Sequence, residues 1–198
     1  MSIPVPDLVE AVRLAADSEV EAVPFARSYW VVPGRILAGA YPGNPVREKA
    51  KGKLRTLIDA GIRCFIDLTS PEDSNLYGEE LVPYGDLLEG IADEREWVLY
   101  FRMSITDMDV PSHAGMVKIL DLIDKAVSEG MPVYVHCLGG FGRTGTVVGC
   151  WLVRHGIAQG ASVIDLIRKL RRNESQAHWD SPQTSEQRRF ILRWKPGE

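Results

Sequence analysis

Residues 132–148 read PVYVHCLGGFGRTGTVV. Pro132–His136 is a short apolar run rich in Val and Tyr, the pattern of a strand buried on both faces. At Cys137 it gives way to a loop holding Gly139, Gly140 and Gly142, and from about residue 143 to 155 the apolar positions fall into helical spacing. A buried strand, a glycine-rich turn and a helix form the building step of an open α/β sheet. Such sheets place their sites at that turn.

The pattern extends in both directions. Ser112–Val127 carries Met116, Val117, Ile119, Leu120, Ile123 and Val127, the stripe of a helix packed on a sheet. Trp97–Ile105 and Ile62–Leu68 (IRCFIDL) read as two further strands. Between them Ser70–Glu96 is acidic and broken by Gly78, Pro83, Gly85 and Gly90, a surface excursion with room for one helix. A Lys- and Arg-rich helix with Leu54, Leu57 and Ile58 on one side ends at Gly61. Ser28–Val32 and Arg35–Ala38 predict two short strands across Pro33-Gly34, preceded by an amphipathic lead from Val5 to Ala16. Further helical patterns follow at 160–172 and 183–194. The fold class expected is α/β, a three-layer α-β-α domain with a mostly parallel sheet of about four to five strands. Residues 1–198 are expected to form one domain, with 1–27 as an N-terminal helical extension.

Composition narrows the function. Hydrophobic residues make up 45% of the 198 and charged residues 25%, a globular balance that excludes a disordered chain. The net charge of −4 argues against nucleic acid or an anionic membrane as partner, because both require a basic face. Three cysteines at unrelated spacings suggest neither a disulfide framework nor a zinc site. Cys64 and Cys150 fall in apolar segments as core thiols, and His113, His155 and His178 lack ligand spacing, so no metal is expected. No apolar run reaches the length of a membrane span, and the opening MSIPVPDLVEAVRL has neither a basic n-region nor an apolar h-region, so the expected location is cytoplasmic.

Two motifs overlap in the loop. Gly140-x-Gly142-x-x-Gly145 matches the dinucleotide fingerprint in form, but that motif belongs to a first βα unit with an acidic residue ending the next strand. Here the strand is the last one, and Asp165 lies inside a helical pattern. The other motif is His136-Cys137, five residues, then Arg143-Thr144. A tight loop would aim the N–H groups of Leu138, Gly139, Gly140, Phe141 and Gly142 at one point, a nest for an anion. The helix N-terminus adds its positive end, and Arg143 offers a fork matched to two phosphate oxygens. The same field favours a thiolate, so Cys137 would lie as a nucleophile beneath a bound phosphoryl group.

HCLGGFGRTGT (136–146) resembles the signature of the cysteine-dependent protein tyrosine phosphatases, including their dual-specificity branch, and the likeness covers residues 28–195. The resemblance implies a phosphocysteine on Cys137, phosphoryl binding by Arg143, help from Thr144 in thiolate departure, and tuning of Cys137 by His136. It also implies a general acid on a loop ahead of the Cys. Asp107 lies 30 residues before Cys137, with Asp109 as competitor. Asp107-x-x-x-Pro111 is similar to the acid loop of the kinase-associated phosphatase branch, which favours Asp107. Ser181-Pro182-Gln183-Thr184-Ser185-Glu186-Gln187 resembles the Gln-Thr-x-x-Gln loop of the larger tyrosine phosphatases, where a Gln positions the hydrolytic water. Gln183 would take that role. With Ser181 as N-cap and Pro182 at N1, Gln183 would sit in a first helical turn with Gln187 on the same face.

The expected function is therefore hydrolysis of a phosphomonoester, on a phosphorylated protein or a small molecule, by a tyrosine or dual-specificity phosphatase. Phosphate, sulfate or vanadate would bind as ligand or inhibitor, and amides and Arg143 supply the positive field without a cofactor. Three alternatives stand beside it. An inositol phosphate or phosphoinositide phosphatase usually carries lysines in the loop, where this chain has Leu138 and Phe141. Rhodanese-type sulfur transfer needs neither Asp107 nor Gln183. A silent phosphate-binding module would keep the loop alone. Asp67, ending its strand at the sheet's carboxyl edge, is either a cleft residue or a turn carboxylate, and Asn75-Leu76-Tyr77 is a possible cleft wall. Asp93-Glu94-Arg95-Glu96 and Arg168-Lys169-Leu170-Arg171-Arg172 read as solvated faces, the second able to meet an acidic partner.

Overall fold

A computed structural model describes residues 5–17, 22–75, 78–91 and 97–198. In chain order its elements are α1 (Val5–Asp17), β1 (Ser28–Val32), β2 (Ile36–Ala40), α2 (Arg47–Asp59), β3 (Cys64–Asp67), α3 (Gly85–Ile91), β4 (Leu99–Arg102), α4 (His113–Ser128), β5 (Val133–Cys137), α5 (Arg143–Arg154), α6 (Ala161–Leu170) and α7 (Ser185–Arg193). The sheet order is β1-β2-β5-β3-β4. Within this sheet β1 and β2 pair antiparallel and the other neighbours pair parallel.

Alternation along β5 builds both layers. Val133 and Val135 pack with α1, α4, α5 and α6 residues such as Val12, Leu120, Val148 and Ile167. Tyr134 points the other way, into a cluster with Leu54, Leu57 and Leu88 from α2 and α3. A strand covered on both faces must be apolar throughout, which is why its sequence shows no polar alternation. The fold is thus the three-layer α/β arrangement expected, with a five-stranded sheet.

Register sets the site. Ala40 pairs with Cys137 and Asp67 with His136, so β2, β3 and β5 end together under the loop. The outer strand β4 is shorter than Trp97–Ile105 because the chain peels away after Arg102; Ile105 N–H then bonds Leu68 C=O at 3.0 Å, turning the next segment over the site.

Three expectations need correction. Ser181 does not cap the last helix. Thr184 is its N-cap, in a capping box with Gln187, so Gln183 lies just outside the helix rather than in its first turn. Arg171 is no solvated residue: it is buried, its Nη2 2.8 Å from Glu174 and its Nη1 bonding Trp179 C=O. Asp67 does not line the cleft, since it is fully buried; it is the turn carboxylate, its Oδ1 accepting from Thr69 N–H at 2.9 Å. Asp93–Glu96, Leu76 and Tyr77 lie outside the described residues.

Candidate functional site

The loop between β5 and α5 is held from outside. Carbonyls of Leu138, Gly139, Phe141 and Gly142 accept bonds from Tyr41 N–H, Arg27 Nη2, Ser181 Oγ and Thr146 Oγ1 at 3.2, 3.1, 2.8 and 2.9 Å. With carbonyls tied outward, the loop's N–H groups are left to its interior, the arrangement an anion needs. Gly140 donates its N–H to Cys137 Sγ at 3.3 Å. It has φ +86°, and a Cβ there would fall 2.5 Å from the Gly39 carbonyl carbon, so only glycine fits.

Arg143 is 1% exposed, and burial opposes its charge. Cys137, Asp73 and Asp107 outweigh that penalty and hold the guanidinium protonated. Its Nη2 forms ion pairs with Asp73 Oδ2 at 2.6 Å and Asp107 Oδ1 at 2.9 Å, while Nη1 donates to Ile105 C=O at 2.8 Å. Arg143 Nε is buried with no hydrogen-bond partner among the described residues, as is Thr144 Oγ1. A buried donor left open at an anion nest is a binding atom for an oxyanion.

Cys137, Arg143, Asp107 and Gln183 line one cleft of about 610 Å³. Met108, Leu138, Phe141 and Trp179 form its apolar walls, with Phe141 and Trp179 stacked at 6.1 Å. The Gln183 carboxamide oxygen lies 3.1 Å from where a Cβ on Gly142 would sit, directly against the loop. Asp109 is turned aside: its Oδ1 caps Val110 N–H, and its carbonyl accepts from Gln187 Nε2. Gln187 is accordingly a buried strut under the loop that carries Asp107 and Asp109 rather than a cleft residue. Among the described residues no group of three or more potential metal ligands occurs.

The sequence matches the family described as "Polymorphic toxin system, DSP-PTPase phosphatase" over residues 40–157. The chain belongs to this phosphatase family. It is 27% identical over 159 residues to mouse protein tyrosine phosphatase domain-containing protein 1, an alignment that covers 79% of the chain but 21% of the mouse protein. The chain therefore spans about a fifth of that relative. Among solved structures, Tk-PTP in its active form superposes with a TM-score of 0.61 at 22% identity, covering 84% of the chain and 95% of its own. Kinase associated phosphatase gives 0.60 at 19% identity, covering 79% and 83%. These likenesses establish the shared fold.

Beneath the loop of this DSP-PTPase family member lies a buried network that sequence reasoning only touched. His136 Nε2 meets Tyr84 OH at 2.5 Å, and its Nδ1 is 3.9 Å from Asp67 Oδ1. Burial pushes the His136 imidazolium down against the attraction of Asp67, so the ring is neutral. For Asp67 burial acts upward, but His136, the Thr69 N–H and hydroxyl, and Tyr100 OH together hold it below the ordinary carboxylate range. A neutral imidazole with Tyr84 OH on Nε2, the Cys137 carbonyl 3.3 Å from Nδ1 and the Asp67 carboxylate nearby anchors the strand end that carries Cys137. Asp73, Arg27 and Tyr84 were not singled out by the sequence, and Ser181 and Arg171 were read only as a helix cap and a solvated cation. Asp73, Arg27, Ser181 and Tyr84 act through partners distant in the chain, and Arg171 through the turn that follows it.

Proposed function

We propose that the protein is a protein tyrosine phosphatase of the cysteine-dependent type. The observation that carries this reading is the convergence of Cys137, Asp107 and a buried Arg143 with an open Nε on one cleft. A phosphoryl group accepts from the loop amides and from Arg143, opposite the Cys137 thiolate. The thiolate attacks phosphorus, an S–P bond forms as the P–O bond breaks, and Asp107 gives its proton to the departing oxygen. Water placed by Gln183 then attacks the phosphocysteine. Asp107 takes the proton back, Thr144 hydroxyl stabilises the leaving thiolate, and phosphate departs. His136 acts on Cys137 from below without touching substrate.

The apolar walls favour an aryl ester. Met108, Leu138, Phe141 and Trp179 can flank a phenyl ring, whereas an inositol ring would bring hydroxyl groups against them unsatisfied. We take residues 28–195 as the catalytic unit, with 1–27 as an N-terminal extension. The test is hydrolysis of p-nitrophenyl phosphate with EDTA present, by wild type and Cys137→Ser. Turnover by wild type that vanishes in the variant is expected, with vanadate inhibiting. Equal rates would overturn the mechanism, and an inactive wild type that binds vanadate would mark a binding module.

A further inference from the structure

Beside the phosphoryl pocket lies a second, smaller cleft of about 200 Å³. The two share Arg27, Asn44 and Leu138 along a common wall. Lys53 of α2 lines the smaller cleft, half-buried, its ammonium 5.3 Å from the centre of the Phe25 ring. Arg27 is held at the boundary by the bond from its Nη2 to Gly139 C=O, and its Nε is buried without a partner. Neither cation forms an ion pair with a carboxylate among the described residues. Among the described lining residues Glu80 is the one acidic side chain, and it stands exposed.

Two like charges in one half-buried space repel, and each has lost part of its hydration. Half-burial first, and Arg27 second, push the Lys53 ammonium below its ordinary value. An anion between them supplies the missing counter-charge. Because the two clefts adjoin along the residues they share, Leu138 among them, a molecule whose phosphoryl group sits over Cys137 has its neighbouring group beside this point. The shared wall suits a peptide: Leu138 offers apolar contact and the Asn44 amide can bond a main chain.

We propose that Arg27 and Lys53 form a second anion subsite that selects phosphotyrosyl peptides bearing a Glu or Asp side chain close to the phosphotyrosine. The inference rests on the tyrosine phosphatase reading above. It explains how a loop with Leu138 and Phe141 in place of lysines can still discriminate by charge, through cations beside the loop rather than within it.

The experiment compares kcat/KM for two phosphotyrosyl peptides identical except for Glu or Gln beside the phosphotyrosine. Wild type is expected to favour the Glu peptide roughly five- to tenfold at low salt, and the preference should shrink as added salt screens it. In Lys53→Gln the ratio should fall toward one, and in Lys53→Glu it should invert. Taking the ratio within each variant cancels any general loss of activity. Arg27 is left intact because its bond to Gly139 supports the loop. Equal hydrolysis of both peptides by wild type, or an unchanged ratio in Lys53→Gln, would overturn the subsite alone. Failure on both peptides with turnover of inositol phosphates would instead overturn the tyrosine phosphatase reading.

Discussion

Gln187 is the side chain through which α7 reaches the acid loop, and replacing it separates folding from chemistry. Its Oε1 accepts from Gln183 and Thr184 N–H, and its Nε2 donates to Asp109 C=O, each at 3.1 Å. Gln187→Ala keeps the Thr184 cap on the residue-187 N–H but removes the side-chain half of the capping box and leaves those half-buried groups unpaired, at about 2–4 kcal/mol. In a domain of this size that lowers Tm by roughly 5–15 °C. Gln187→Glu differs. Its carboxylate still accepts from both N–H groups and is favoured at a helix N-terminus, so the fold survives near wild-type Tm. Yet it sets an anion against the Asp109 carbonyl, and the acid loop loses its strut. Full loss of a general acid costs about 10²–10⁴ in rate. A displaced one should cost about tenfold for phenyl phosphate, whose leaving group needs the proton, and far less for a dinitrophenyl ester, which departs without help. The assay is kcat across a series of aryl phosphates at fixed pH, with Tm measured alongside. A rate loss equal for good and poor leaving groups, in a Glu variant of normal Tm, would refute the link from α7 to proton transfer.

Three further outcomes follow from the buried groups. Tyr84→Phe deprives a neutral, buried His136 of its Nε2 partner and should lower stability by about 1–3 kcal/mol in urea unfolding, with m unchanged; an unchanged midpoint would contradict the network. Gly140→Ala forces a Cβ onto the Gly39 backbone at a left-handed φ, so vanadate binding should be lost even where the protein stays folded by circular dichroism. On acidification, stability should fall in two stages. Through 6.5, the ordinary histidine value, the unfolded chain takes up a proton that buried His136 declines, and through 3.8, the ordinary Asp value, it takes up one that Asp67 declines. Both folded values lie below the unfolded ones, so both losses run toward low pH; urea midpoints flat from pH 7 to 5 would remove the claim for His136.

What the sequence disclosed was local or periodic. Val133–Cys137 is covered on both sides, so its apolar run identified a central strand, and the five-residue interval from Cys137 to Arg143 carried its own geometry. Asp107 was reached through the resemblance, which implies an acid on a loop ahead of the Cys, and the structure places it on the cleft beside Arg143. Arg171 misled for a physical reason. It stands in a run of cations, and only the fold shows that the chain doubles back to offer it Glu174 and the carbonyls of Gln176 and Trp179. The placement of Gln183 failed similarly. Ser181-Pro182 has the form of a helix start, but the Ser181 hydroxyl donates to Phe141 C=O, and Thr184 with Gln187 forms the cap instead. Hydrogen bonds to a distant loop leave no periodic trace.

The site joins a fixed half to a lightly held one. The anion loop is bound at four carbonyls and lies over the buried Asp67–His136–Tyr84 network, so its amides keep their direction as charge comes and goes. Asp107 is by contrast 58% exposed, next to Met108 at φ 63°, and is tied inward by Arg143 Nη2. In the proposed mechanism a phosphoryl dianion entering the loop would compete for that same nitrogen and free Asp107 from the guanidinium. Asp73, on the same nitrogen at 2.6 Å and 4% exposed, keeps the guanidinium oriented while Asp107 is exchanged for substrate. One carboxylate thus steadies Arg143 throughout, while in the proposed mechanism the other gives up its place on the guanidinium to a non-bridging phosphoryl oxygen and is left beside the ester oxygen.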